Sequence, residues 1–249
     1  MRVKHVAGIT LIVIGALLAF NGAMNASQSL VNAGIGGVFL GIVVLTFSTS
    51  DYMKYDAFRA VVHPYVESAR NLVTSLGLKG RAVYIPPYSN MPEGGVFIPL
   101  HEDFSIDLAR TDSRTVFLTD TGREKEMGLI LTPAGKELVS MYEEFSGMDF
   151  ANAGLQVVES ISAVLKSLGL ARSVDAEESD GRIRIYIDGV KMREVCSEEC
   201  EQIACPICSS AMLSLAKAFQ ELIMVEKFSF DDRFVEISAR KIGGIERWM

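Results

Sequence analysis

Hydrophobic and polar positions are distributed unevenly along this chain. Residues 5–50 contain no Asp, Glu, Lys or Arg, and two apolar runs lie inside them, at 6–20 (extending to Met24) and 30–47. A bilayer core about 30 Å thick takes roughly 20 helical residues to cross. The pattern therefore predicts an N-terminal transmembrane helical hairpin over residues 1–50, with spans at about 6–24 and 28–48. The polar break between them (Asn21, Gly22, Asn25, Ser27, Gln28) has the length of a tight helix–helix turn.

From residue 51 onward the periodicity is mixed and predicts an α+β region. A helix leaves residue 51 and is expected to break at Pro64, a residue suited to the first turn of a new helix. Val66, Ala69, Leu72, Val73 and Leu76 then recur at helical spacing, ending at Gly77 in the sequence SLGL. Strand-like runs follow at 82–85, 96–100, 115–118 and 127–131, punctuated by Pro86-Pro87 and Pro92-Glu93-Gly94-Gly95. Thr132-Pro133 reads as the N-cap and first position of a helix to about residue 145.

The chain then begins again. Leu155, Val158, Ile161, Leu165 and Leu168 mark another amphipathic helix ending in SLGL, at 167–170. Asp180-Gly181 is a type I′ turn signal, followed by strict alternation with Ile183, Ile185 and Ile187 on one face. Pro206 opens a helix expected to run to about Met224, and two last strands, 225–230 and 233–239, turn at Asp231-Asp232. The expected organisation is thus a hairpin and two similar α+β subdomains, 51–148 and 149–249, each starting with a helix, SLGL and two strands.

Charge sharpens the membrane reading. Arg2 and Lys4 precede the first span, Lys54, Arg59 and Arg70 follow the second, and the connecting loop has no Lys or Arg. The positive-inside rule then places both termini in the cytoplasm, with Tyr52, Tyr55 and Phe58 where interfacial aromatics belong. A signal peptide would also use Arg2 and Lys4. No small-residue cleavage site follows, however, and cleavage would leave the second span. A buried core hairpin would be unusual with so long a stretch free of acids. Gly37 and Gly41 form a G-x-x-x-G pair, joined by Gly34, Gly8, Gly15, Ala7, Ala16 and Ala19. Such small residues let helices approach closely in lipid, within the hairpin or in a homo-oligomer or membrane complex. Asn25-Ala26-Ser27 matches a glycosylation sequon, close to the membrane. Residues 51–249 hold 22 basic against 31 acidic residues, a net of −9. With no basic patch interleaved with aromatics, nucleic-acid binding is disfavoured.

All four cysteines fall within thirteen residues, as CSEECEQIACPIC: Cys196, Cys200, Cys205 and Cys208. Four thiolates can close a zinc site or, as the second choice, hold an iron–sulfur cluster. The C-x3-C-x4-C-x2-C spacing is neither a zinc ribbon nor a ferredoxin motif, and His5, His63 and His101 lie far upstream. Redox chemistry is a second reading, because Cys205 precedes Pro206 at a helix start and Cys208 lies in the first turn, where the helix dipole lowers a thiol pKa. No proline follows Pro206 to serve as a thioredoxin-type cis-proline. Structural disulfides or plain buried thiols are the third reading. Weaker candidates are His101-Glu102-Asp103 with Asp107 for a cation, and Arg182 with Arg184 for an anion. No phosphate loop, nucleophile elbow or H-E-x-x-H is present.

The two-span N-terminus followed by LGLKGRAVYIPP, VFIPL, LILTPAGKEL and CPICSS resembles a group of uncharacterised archaeal membrane proteins, a resemblance that implies no activity. The last sixty residues are similar to 4-vinyl-reductase-type small-molecule-binding domains in element order. They depart from them in the final hairpin, 225–239, which has no cysteine. The leading expectation is a membrane-anchored, non-enzymatic cytoplasmic module that binds a metal or small ligand for sensing or scaffolding. The alternatives are a thiol redox protein or electron carrier using Cys205/Cys208, and a structural subunit of a membrane complex.

Overall fold

The computed structural model describes residues 2–46, 55–119, 122–191, 196, 198–231 and 233–249. The chain divides into two compact units, Met1–Ala57 and Phe58–Met249. Tyr52, Lys54 and Asp232 lie outside the described residues, as do the side chains of Tyr55 and Phe58.

The first unit contains α1 (Arg2–Met24) and α2 (Gln28–Thr46). Both contain segments long and apolar enough to cross a membrane, Val6–Met24 and Gln28–Thr46. The three-residue turn between them closes with Ser27 N–H donating to the Gly22 carbonyl at 2.9 Å, and Ala26 takes the left-handed conformation (φ 49°) this demands. The two helices pack through glycine. A Cβ on Gly34 would lie 2.3 Å from the Ala19 nitrogen, and one on Gly15 would lie 2.6 Å from the Val38 nitrogen. Gly37 and Gly41 also face α1, against Gly15 and Gly8. The G-x-x-x-G pair is therefore used inside the hairpin, where close backbone approach maximises dispersion contact.

The second unit is a single antiparallel sheet with helices on one face. Its strands are β1 (Val83–Ile85), β2 (Gly95–Pro99), β3 (Phe117–Leu118), β4 (Gly128–Leu131), β5 (Ser173–Ser179), β6 (Arg182–Asp188), β7 (Glu221–Phe230) and β8 (Phe234–Gly244). They lie in the order β3-β4-β2-β1-β7-β8-β6-β5. Strands before and after residue 150 thus form separate contiguous groups, and the order within each is the same, each member of the second group being four places later in the chain. Both groups follow a helix ending in SLGL: α3 (Tyr55–Ser75) and α5 (Val157–Ser167). The two SLGL segments are capped alike. Gly77 and Gly169 are left-handed (φ 67° and 68°), and Leu78 and Leu170 donate to the carbonyls of Val73 and Leu165, a Schellman closure.

Alternation distributes the core. Tyr84, Val96, Ile98, Ile183, Ile185 and Ile187 face the helices, whereas Val83, Ile85 and Phe97 pack on the opposite side with Ile106, Leu108 and Leu118. β1 and β2 are buried throughout and therefore read as continuous apolar runs, but β6 exposes Arg182 and Arg184 on its uncovered face. The helix layer consists of α3, α4 (Lys136–Ser146), α5 and α6 (Pro206–Phe219).

The last strand runs five residues past its expected end, to Gly244, and three helix boundaries also differ from expectation. α3 runs unbroken through Pro64, because Val62, Val66, Ala69 and Val73 form one stripe packed on the core and the carbonyl deprived of its partner belongs to exposed Ala60. α4 starts at Lys136 rather than Pro133. α6 stops at Phe219, where Gln220 takes the left-handed conformation (φ 54°), and residues 221–224 join β7. Pairing of Ile223 and Met224 with β1 and β8 decides that apolar run, which has no clear period of its own. The same burial explains the third long apolar helical segment, Glu199–Phe219. It is 72% buried, against 17% and 11% for the two N-terminal ones, so it is the core of the globular unit.

Gly34→Ala is expected to lower hairpin stability by about 1–3 kcal/mol through overpacking. A Cβ on Gly36 meets nothing within 4 Å, and Gly36→Ala should be neutral or slightly stabilising. SDS-titration unfolding of the two variants checks this, and equal effects would refute the packing assignment.

Candidate metal centre

The cysteines sit where the segment after β6 re-enters the core. Cys196 is half-buried, Cys200 lies in a 3-10 turn (Glu198–Glu201), Cys205 is the N-cap of α6 and Cys208 lies in its first turn. Cys200, Cys205 and Cys208 are inaccessible to solvent.

This segment is stitched to the α3–β1 junction by groups remote in sequence. The Gln202 carboxamide donates to the Leu78 and Gly80 carbonyls at 2.9 and 2.8 Å, and Ala82 N–H donates to the Glu201 carbonyl at 2.9 Å. The Arg70 guanidinium donates to the Cys200 sulfur at 3.3 Å and the Ile203 carbonyl at 3.4 Å, and it pairs with Glu199 at 3.3 Å. On the other side, Gly135 carries no side chain because the start of α4 abuts the start of α6. A Cβ there would lie 2.1 Å from the Pro206 oxygen. That contact also delays α4 to Lys136, since Pro133–Gly135 must turn against α6, closed by Lys136 N–H donating to the Pro133 carbonyl at 3.2 Å.

The folding brings three of the four expected thiols together. The sulfurs of Cys196, Cys205 and Cys208 all lie within 4.8 Å of one another, and Cys196 approaches Cys205 at 3.4 Å. Cys200 falls outside this set. No disulfide is formed among the four. Hydrogen bonding from Cys196 and Cys208 holds the Cys205 thiol well below its usual range, aided by the amides of Cys208 and Ile207 and opposed by burial. Those two amides belong to the first turn of α6, where backbone N–H groups have no helical partner. Cys196 is pushed up by its contacts with Cys200, Cys205 and Cys208. In Cys208 the contact with Cys196 acts downward but is outweighed by Cys205 and by burial, and the thiol is raised. Cys205 is therefore the most readily deprotonated of the three thiols, and a soft cation binding among them would displace their protons.

Two buried tyrosines flank the thiols. Tyr84 bonds to Ser209 and Tyr142 to Ser210, the latter at 2.8 Å, and burial keeps both phenols protonated far above the neutral range. They add hydrogen-bonding capacity beside the sulfurs without adding charge. Their positions carried no signal in the sequence beyond aromatic character, and neither did those of Arg70 and Gln202.

The weaker candidates do not converge. His101 bonds to Glu124 at 3.0 Å, Asp103 pairs with Lys125, and Asp107 caps a short turn through Ala109 N–H. Arg182 and Arg184 face Glu226 and Glu177.

A family model described as a domain of unknown function, DUF7982, matches residues 2–238. The chain belongs to this family. The match runs from α1 into β8 and so includes both the apolar hairpin and the cysteine segment. It carries no link to archaeal proteins in particular or to 4-vinyl-reductase-type domains. No curated protein and no solved structure matches the chain.

Gly135→Ala is expected to destabilise the globular unit by about 1–3 kcal/mol, because the new methyl meets backbone rather than a yielding side chain. Thermal unfolding of the full chain checks this, and an unchanged midpoint would contradict the close approach of α4 to α6.

Proposed function

We propose that this chain is a membrane-tethered, non-enzymatic module whose cysteine cluster holds zinc, or as the second choice an iron–sulfur cluster, in a sensing or scaffolding role. The observation that carries the reading is the trio Cys196, Cys205 and Cys208, the last two buried, with sulfurs within 4.8 Å of one another. Zinc–sulfur bonds of about 2.3 Å at tetrahedral angles put the sulfurs roughly 3.8 Å apart, which this spacing brackets. An iron–sulfur core would hold its cysteines further apart, so the geometry favours a single ion. Cys200, in contact with Cys196, is the nearest thiol for a fourth position.

The apolar hairpin supports anchoring in the lipid bilayer, and the basic residues flanking it support cytoplasmic termini. The repeated strand order and the twin SLGL caps support an ancient duplication giving two similar halves, the cysteine segment being an elaboration of the second. Contacts with membrane-complex subunits or a second copy remain open to the hairpin faces turned away from the Gly37/Gly41 stripe.

The test is metal analysis of the full chain purified in detergent under reducing, anaerobic conditions. About one zinc per chain is expected, lost in Cys205→Ser/Cys208→Ser. Metal-free protein in every preparation would reject the reading. The 3.4 Å approach of Cys196 to Cys205 favours a second reading, a redox dithiol. In that case oxidised glutathione would convert the pair to a disulfide, releasing two molecules of reduced glutathione, and two titratable thiols would disappear.

A further inference from the structure

Beside the thiols, and separate from them, lies a cavity of about 500 Å3. One wall is α3, through Val66 and Ala69. The others are the segment after β4, through Leu131 and Pro133, and the cysteine segment, through Ile203 and Ala204. Tyr84 lines it as well.

Its size falls in the range of small-molecule sites, and its chemistry restricts the occupant. Among the described residues, no Asp, Glu, Lys, Arg or His lines it. The polar groups it offers are neutral: Thr132, Gln202, Ser209, Tyr84 and, at the exposed edge, Tyr65. Tyr84 and Gln202 are already positioned, Tyr84 by Ser209 and Gln202 by the Leu78 and Gly80 carbonyls. A charged ligand would lose its water here without gaining a counter-charge, whereas an apolar one would replace water over an aliphatic lining.

We propose that this cavity, bounded by α3, the segment after β4 and residues 202–209 and open to solvent on one side, binds an uncharged, chiefly hydrocarbon molecule bearing one hydroxyl or carbonyl group. The hydrocarbon part lies against Val66, Ala69 and Leu131, and the polar end meets Thr132 or Ser209. The site does not depend on the metal reading, although residues 202–209 are common to both. Ala204, Pro206 and Ser209, which line the cavity, are the chain neighbours of Cys205 and Cys208.

The experiment is photolabelling of the full chain in lipid nanodiscs with a medium-chain alkyl alcohol carrying a diazirine, mapped by peptide mass spectrometry. Labelling is expected on residues 62–69 and 131–134, competed by excess unmodified alcohol. The matching carboxylate should label at least about tenfold less, because a buried unpaired charge is disfavoured. Ala69→Phe, which fills the cavity, should abolish this labelling at an unchanged unfolding midpoint. Ala134→Trp, placed at the exposed rim, decides the matter if the first variant does not fold. Label confined to α1 and α2, equal labelling by the carboxylate, or labelling undiminished in the folded variant would each overturn the proposal.

Discussion

The globular unit depends on burying one helix on nearly all sides. Eleven of the fourteen residues of α6 are buried, and around it gather the sheet, α4 and α5. Such a helix has no solvent at its N-terminus to satisfy free amides. Pro206 removes one of these donors, and the Cys205 sulfur lies before those of Ile207 and Cys208. A polarisable sulfur in an apolar core answers a backbone requirement and, by the same contact, becomes the most acidic thiol of the cluster. Chemistry and architecture meet at one atom.

The second constraint is how closely backbones approach. In the hairpin, glycines on both helices leave no room for a Cβ, and in the globular unit Gly135 does the same between α4 and α6. These sites differ in solvent but not in physics: without a side chain, two backbones gain dispersion contact that any methyl would forfeit. Because α4 and α6 touch at their starts, the cysteines are held between two rigid elements. Arg70 and Gln202 tie the same segment to α3 and β1 from the other side. The thiol geometry is therefore set by contacts reaching about 130 residues back along the chain.

The repeated strand order gives the cysteine segment a context. The connection from β2 to β3 is closed by a short 3-10 turn at Leu108–Arg110, whereas the corresponding connection from β6 to β7 carries the four cysteines and α6. The difference between these two connections coincides with the position of the cysteines. It also creates the neighbouring cavity, since residues 202–209 form one of its walls.

Much of this was legible from local pattern. The two apolar runs, the two SLGL caps, the Asp180-Gly181 hairpin and the clustered cysteines each follow from interactions among residues close in sequence, so periodicity, turn chemistry and spacing suffice to read them. Other features required the folded chain. Continuation of α3 through Pro64 is decided by a stripe packed on the core, and the switch of residues 221–224 from helix to strand by pairing with β1 and β8. The placing of Cys200 between Arg70 and Cys196 depends on a residue 130 positions upstream. Glu199–Phe219 is less apolar than the two N-terminal segments, and its burial is decided by the sheet, α4 and α5 packed around it. The reason is common to all four. Their energies come from partners distant in sequence, and no local window contains both members of such a pair.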